Sequence, residues 1–240
     1  MLIKHGFAGL SHKAAGASGI TFISSATAEA TSAEPWALTG FSVTNGRKYF
    51  MHIMSTLGGT GGEIESVTLG SASAALALPV VTSDDAQTRR DGHGVVEGWI
   101  ATANTTGSVS VTVTQTLAGS KDVCVSLYDI TGYDIVDDDS DIAFANAPYS
   151  IARVLTNEGG PGVPIVSGAI FTTSGPETID LGGVNDLIGG TIDVETQLTN
   201  TLFVVASKPD TSTEVGSLYD IRSQTEFIEG AAHGFWFAVV

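Results

Sequence analysis

The chain has 240 residues and a formal net charge of −16, with 10 basic side chains against 26 acidic ones. This balance excludes a nucleic-acid partner, which requires a basic footprint to neutralise phosphates, and it disfavours an anionic membrane surface. No apolar run approaches the roughly 18 residues of a membrane-spanning helix, and the N-terminus lacks the apolar segment of a signal peptide, so we expect synthesis in a cytoplasm.

Glycine, alanine, serine and threonine are abundant, and glycine alone occurs 29 times. This composition favours many short strands joined by tight turns. A chain of this length can form one large β domain or two small ones and bury a core without disulfides or metals. The only cysteine, Cys124, excludes an intrachain disulfide, and its apolar neighbours predict a buried thiol.

Residues 1–18 differ from the rest of the chain because they are basic and rich in glycine, which disfavours a stable helix. One interpretation is a frayed terminal tail. The other is a docking arm that becomes ordered on an acidic or apolar partner surface. The candidate partner-binding residues of this arm are Lys4, His5, Phe7, His12 and Lys13.

From Ile20 onward, period-two alternation predicts β-strands. Ser108–Thr114 is the clearest case, with valines on one face and hydroxyls on the other. Asn45–Gly46 is a tight-turn signal between Phe41–Thr44 and Lys48–Leu57, and it predicts a hairpin of those two strands. Further strands of this half are predicted at Ile20–Ile23, Ile64–Leu69, Ala74–Val81, His93–Ala101 and Asp122–Ile130.

The longest polar stretch of the first half, residues 82–94, contains Arg89 and Arg90. In so acidic a chain, paired arginines are candidates for contacts with the carboxylates of a neighbouring molecule. The alternative is that they pair with the aspartates of their own loop, because local surface ion pairs are common and weak.

Residues 131–162 look less regular, and they predict either a linker between domains or a long surface loop within one sandwich. Strands are predicted again at Pro164–Phe171, Thr191–Leu198, Leu202–Ser207 and Gly234–Val240. The last strand is apolar to its end and is expected in the core or at a subunit contact. Leu-Tyr-Asp-Ile occurs at 127–130 and 218–221, which is too short to indicate a duplication.

The expected fold is therefore all-β: an antiparallel β-sandwich of jelly-roll type, either as one large sandwich or as two smaller ones. The arm at 1–18 precedes the sandwich at 19–240, with a possible subdivision near 131–162.

The acidic stretch that begins at Asp134 does not fit the EF-hand loop, which requires glycine at position six and glutamate at position twelve. Asp137, Asp139 and Asp141 remain weak candidates for Ca²⁺ ligands, and the alternative is a solvated, self-repelling loop. The histidines and Cys124 lack zinc-ligand spacing. No cofactor is predicted.

Catalytic motifs such as the G-x-S-x-G elbow and the P-loop do not occur in the sequence. Carboxylate pairs such as Glu63 with Glu65 or Asp193 with Glu195 are a weak signal of a glycan hydrolase in a chain with many acids. For glycan binding, Trp36 is the best candidate for an exposed aromatic ring, whereas Trp99 and Trp236 lie among apolar strand residues and are expected in the core.

Several segments resemble the jelly-roll modules of tailed-phage virion structural proteins. They are Ser66–Gly70, Gly98–Ile100, Gly107–Thr114, Val125–Gly132 and the final aliphatic strand Phe237–Val240. The resemblance is one of strand and turn pattern, and it implies a role at the virion surface after synthesis in the host cytoplasm, without distinguishing head from tail.

Three hypotheses follow from the resemblance and the residues. The first is a non-enzymatic capsid decoration, cement or head-spike-like protein, a homotrimer or another cyclic oligomer bound to the major capsid protein or to a tail protein. The lack of a repetitive shaft favours it over a tail-fibre tip. The second is a carbohydrate-binding adhesin or tail-fibre receptor-binding module for a host surface glycan, and the least favoured is a glycan hydrolase.

Overall fold

A computed structural model describes residues 20–29, 35–56, 64–77, 94–115, 122–144, 150–156, 162–172, 179–180, 191–198, 201–208, 216–223 and 227–240. All regular elements within these ranges are β-strands, and all their pairings are antiparallel. In the same ranges, no helix is long and apolar enough to cross a membrane.

The N-terminal half, residues 20–130, contains two sheets. Sheet 1 has the order β1-β9-β3-β7-β6 and sheet 2 has the order β2-β8-β4-β5. The strands are β1 (Thr21–Glu29), β2 (Trp36–Val43), β3 (Lys48–Thr56), β4 (Ile64–Leu69), β5 (Ala72–Ser73), β6 (Ala75–Leu76), β7 (Gly94–Thr102), β8 (Gly107–Gln115) and β9 (Asp122–Asp129).

The C-terminal half, residues 133–240, contains two further sheets. Sheet 3 has the order β10-β17-β12-β15-β14 and sheet 4 has the order β11-β16-β13. The strands are β10 (Tyr133–Phe144), β11 (Ser150–Thr156), β12 (Gly162–Thr172), β13 (Ile179–Asp180), β14 (Thr191–Gln197), β15 (Thr201–Ser207), β16 (Gly216–Ser223) and β17 (Phe227–Val239).

In the N-terminal half the chain passes back and forth between the facing sheets, and the first strand, β1, pairs with the last, β9. This is the strand order of a jelly roll. The C-terminal half repeats it: β10 pairs with β17, and β12, β15 and β14 follow in the positions that β3, β7 and β6 hold in sheet 1. The expectation of an antiparallel jelly-roll sandwich is confirmed.

The repeat is one of topology rather than of sequence. The two Leu-Tyr-Asp-Ile segments lie in β9 and β16, which do not correspond in the two strand orders. Within the described part of the chain, no strand ladder joins the two halves, so packing of side chains holds them together.

The central strands β3 and β9 of sheet 1 are buried on both faces. One face of β3 points into a core shared with sheet 2 and contributes Tyr49, Met51 and Ile53 to it. The large residues that sheet 2 contributes to this core include Trp36 and Phe41. The alternate residues of β3 point to the opposite side, into a second cluster shared with sheet 3. The buried members of this second cluster are Phe50, Met54, Ala77, Val96, Cys124, Tyr128, Ile130, Tyr133, Val163, Ile165, Val194, Phe203, Val205, Phe235 and Phe237.

Sheet 4 continues the stack beyond sheet 3. Its strand β11 lies next to β10 and β17. Sheet 3 is also buried at the residues that alternate with its members of the second cluster, namely Val166, Val204 and Trp236. The order of layers is therefore sheet 2, sheet 1, sheet 3, sheet 4, and the contact between sheets 1 and 3 is called the central interface below.

The predicted hairpin at Asn45–Gly46 is wrong. β2 pairs with β8 in sheet 2, whereas β3 pairs with β7 and β9 in sheet 1. Gly46 supplies the positive φ of 80° that the turn needs, and its N–H donates to the carbonyl of Ala103 at 2.8 Å. The turn is therefore an arch between facing sheets, because β3 is apolar on both faces and belongs in the doubly covered sheet.

The prediction of a linker or loop over 131–162 is also wrong, since β10 and β11 occupy most of these residues. The run of aspartates obscured β10, because aspartate has a low β propensity. In sheet 3, β10 is the end strand, where charged residues discourage pairing with another molecule.

Candidate functional site: the polar cluster in the central interface

The fully buried polar side chains of the central interface include His52, Ser167 and His233. His52 lies in the middle of β3 and faces sheet 3 because it alternates with the inward-facing Phe50 and Met54. Ser167 of β12 and His233 of β17 are direct partners in the strand register. Sheet pairing thus places these two residues side by side, and the stacking of the halves brings His52 against them.

Hydrogen bonds connect the cluster to its surroundings. Nε2 of His52 lies 2.8 Å from Oγ of Ser167, and that hydroxyl donates to the carbonyl of His233 at 3.5 Å. Which of the two groups donates in the 2.8 Å contact depends on the tautomer of the His52 ring. Nδ1 of His52 is buried with no hydrogen-bond partner, which suits an unprotonated nitrogen better than an N–H group.

His233 has partners for both ring nitrogens. Nε2 lies 2.9 Å from Oδ2 of Asp138, and Nδ1 lies 3.4 Å from the carbonyl oxygen of Val96. Asp138 belongs to β10 and Val96 to β7, so this ring contacts sheets 1 and 3 together. The two histidine rings differ in one respect: His233 has an acceptor at each nitrogen, and His52 has none at Nδ1.

Burial dominates the electrostatics of this site. It lowers the pKa of His52 well below its usual value, and the charge of His233 lowers it further. Burial also raises the pKa of the Cys124 thiol to about 12. The expected burial of the Cys124 thiol is confirmed.

Two more polar bridges cross the central interface. The hydroxyl of Tyr128 in β9 donates to Oδ2 of Asp193 in β14 at 2.8 Å, and the hydroxyl of Thr201 in β15 donates to Oδ2 of Asp122 in β9 at 2.9 Å. Burial raises the pKa of Asp193, while hydrogen bonds from Ser207 and Tyr128 oppose that rise. Directional bonds of this kind fix the relative position of two sheets that apolar contacts alone would leave free to slide.

The contact of Ser167 with His52 has the distance of a nucleophile and its base. Neither side chain is exposed to solvent, and the carboxylate of Asp138 is bonded to the other histidine, His233. A serine nucleophile needs a substrate within reach and a base held by a third group. In this packed state the cluster therefore acts as a polar connection between layers.

The expectation of an exposed Trp36 ring is wrong. Trp36 begins β2 opposite Val113 and is only 5% exposed, because the alternation of β2 turns Trp36 and Leu38 into the core between sheets 1 and 2. Trp99 and Trp236 are buried as expected. Nε1 of Trp99 donates to Oε2 of the buried Glu97 at 2.8 Å.

The three calcium candidates, Asp137, Asp139 and Asp141, occupy alternate positions of β10 and pair with Trp236, Gly234 and Ala232. In the described residues, no group of three or more histidine, cysteine, aspartate or glutamate side chains could hold a metal ion. Calcium binding by β10 stays a sequence-based prediction.

Of the candidate carboxylate pairs, Asp193 is bonded to Tyr128 and Glu195 is exposed, while Glu63 lies outside the described residues. The arm residues Lys4, His5, Phe7, His12 and Lys13, and the arginines Arg89 and Arg90, also lie outside the described residues. Their proposed partner contacts stay predictions.

The sequence placed His52 in a strand but did not connect it with His233 or Ser167. The available signal was a histidine within Lys48–Thr56, a strand that is apolar on both faces. Its partner Ser167 is 115 residues away, so no local pattern relates the two.

Comparison of the chain with protein-family models, with curated protein sequences and with solved structures found no match.

Proposed function

We propose that this chain is a non-enzymatic structural protein of a virion, a compact decoration, cement or head-spike-like protein that binds the particle surface. The observation that supports it most is the tandem of two jelly-roll halves stacked into four layers. Jelly rolls are frequent in viral capsid proteins and in lectins. Fold analogy does not establish a function by itself, so the proposal also rests on packing and charge.

The close packing of side chains in the central interface is suited to a rigid protein that must resist mechanical force. In the central interface, the Phe50 ring centroid lies 5.0 Å from those of both Phe235 and Phe237, and both ring pairs meet edge to face. Such pairs add stability beyond the burial of their area, and close-packed interiors resist compression. The Ser167 hydroxyl is the group in this interface that most resembles a catalytic nucleophile, and it is fully buried by that packing.

The charge distribution suits a protein that must stay dispersed until it meets a particle. A net charge of −16 makes copies repel one another in solution. The basic arm, with Lys4 and Lys13, then provides a segment of opposite sign for the acidic or apolar surface of a major capsid or tail protein. Assembly as a homotrimer or another cyclic oligomer would multiply this weak contact.

The test is binding to assembled particles that lack the protein, measured by co-sedimentation and by counting copies in electron micrographs. Deletion of residues 2–18 is expected to abolish binding while the far-ultraviolet circular dichroism keeps its β spectrum. Lys13→Glu should weaken binding, and Lys121→Glu, which changes the net charge equally outside the arm, should not.

Decoration by the deleted chain at the full copy number would refute the arm as anchor. Turnover of a polysaccharide by the purified protein would refute a non-enzymatic role. Specific glycan binding without particle binding would favour an adhesin, but its ligand could not rest on Trp36, whose ring is in the core.

A further inference from the structure

We infer that the central interface is an acid-sensitive contact: protonation of His52 favours an open state in which sheets 1 and 3 separate while each half keeps its own strand ladders. This inference goes beyond the proposed function and does not depend on it, because it rests only on residues inside the interface.

The surroundings of His52 accept a neutral ring and oppose a charged one. In the charged ring both nitrogens carry protons, and Nδ1 is buried with no hydrogen-bond partner. The ring centroids of Phe50 and Phe235 lie 5.3 Å and 5.1 Å away, and that of His233 lies 6.1 Å away. A charged imidazolium there would lack both water and a carboxylate, and burying such a group is costly.

Other titratable groups of the central interface do not compensate that charge. From sheet 3, the titratable ring that faces His52 is His233, whose Nε2 lies 2.9 Å from Oδ2 of Asp138. Cys124 of β9 has a raised pKa and stays a neutral thiol. The remaining members, Tyr128 with Asp193 and Asp122 with Thr201, are bonded to each other across the sheets.

Burial lowers the pKa of His52 in the closed state, whereas in water a histidine titrates near pH 6.5. Between these two values the open state binds one more proton than the closed state. The closed state is therefore fully favoured above about pH 6.5 and loses its advantage as the pH falls. Protonation of His52 by itself should raise the equilibrium constant for opening about 25-fold between pH 7 and pH 5, because only the open state gains this proton.

Asp193 works in the opposite direction. Burial raises its pKa, so in acid the closed state takes up this proton more readily than the open state and gains stability. The contribution of His52 is therefore measured by comparing the pH dependence of opening in the full chain with that in its His52 variants, because the pH profile of one protein contains both effects.

The strand topology allows the two halves to separate without unfolding. Within the described residues, no ladder crosses between the halves, and sheets 1 and 2 share a core of their own. Opening would expose mainly the aromatic cluster of the central interface, so the open state stays a minor population that must be detected by trapping.

Cys124 is a built-in reporter of this opening. It is the only cysteine of the chain, it is fully buried, and it belongs to the cluster between sheets 1 and 3. Its rate of labelling by a dipyridyl disulfide, which reacts with thiols in acid, should be measured from pH 7 to pH 5. Dividing by the rate for the urea-unfolded chain at each pH removes the intrinsic reactivity of the thiol.

From pH 7 to pH 5 we expect the normalised rate of the full chain to rise about 25-fold more than that of His52→Phe or His52→Gln. The two variants lack this rise because neither replacement side chain can take up a proton, and the opposing effect of Asp193 remains in them. Two variants are used because either replacement could disturb the packing.

Ser167→Ala is the matched control, since it removes the hydrogen bond to His52 but no titratable group. It should speed labelling at every pH and keep the same rise. Equal rises in the full chain and both His52 variants would overturn the inference. Loss of the β circular-dichroism spectrum over the same pH range would also overturn it, because the chain would then be unfolding as a whole.

Discussion

Gly98 shows how closely the two halves approach each other at the level of single atoms. It lies in β7 directly opposite His52 in the strand register. A Cβ at this position would be 2.5 Å from Cζ of Phe235 and 2.6 Å from Cε2 of Phe50. Both rings are buried in the central interface and cannot move aside freely, so glycine is required here for the space it leaves.

Gly98→Ala is expected to destabilise the protein by about 1–3 kcal/mol, the usual cost of forcing extra carbon into a packed core. Urea denaturation followed by circular dichroism measures this change. Phe235→Leu removes the nearest ring atom, so the double variant should lose less than the sum of the two single losses. Strict additivity would contradict the proposed clash.

At the scale of strands, alternation predicted most elements whose two faces have distinct roles. β8 carries its valines inward and its hydroxyls outward, and β3 carries apolar side chains on both faces. The partner of a strand was harder to predict. β1 pairs with β9 through residues about a hundred positions apart, and local turn chemistry at Asn45–Gly46 indicated the wrong partner for β2.

The candidate site was predictable only in part for the same reason. Cys124, Trp99 and Trp236 were placed in the core because their sequence neighbours are apolar. Trp36 was misplaced because Pro35 and a strand start resemble an exposed edge, whereas the covering sheet is set by distant strands. The histidine pair depends on the stacking of two halves, and no local pattern encodes that contact.

The acidic strand β10 bears on the calcium hypothesis through its geometry. Residues of a strand advance about 3.3 Å each, so Asp137 and Asp141 are about 13 Å apart along β10. Ligands of one Ca²⁺ lie within 2.3–2.6 Å of the ion. This spacing favours the alternative of a solvated, self-repelling acidic stretch over a single shared ion, and calcium binding stays a prediction.

Removal of calcium is accordingly expected to leave stability unchanged. Melting temperatures with a chelator and with calcium should agree when the two samples have equal ionic strength, since a ligand that does not bind the native state cannot stabilise it. Differential scanning calorimetry makes the comparison, with magnesium as the control cation. A rise that calcium alone produces would show a specific site.

For the whole molecule, the four stacked layers must hold together against their own charge. The chain carries 26 acidic side chains and 10 basic ones, and partly exposed ion pairs such as Lys48 with Asp134 offset little of this excess. Packing of the two cores provides the attraction, and the net charge of −16 opposes it over distances that depend on salt.

Monovalent salt should therefore stabilise this protein. Raising sodium chloride from about 0.01 M to 0.15 M shortens the screening length from about 30 Å to about 8 Å. Self-repulsion then falls, and we expect the melting temperature to rise by about 2–4 °C, or about 1 kcal/mol for a chain of this size. Choline chloride at equal ionic strength should give the same rise, because screening does not depend on which cation is present. A melting temperature that falls with salt would mean that attractive ion pairs outweigh repulsion, and the acidic surface would then contribute to holding the layers together.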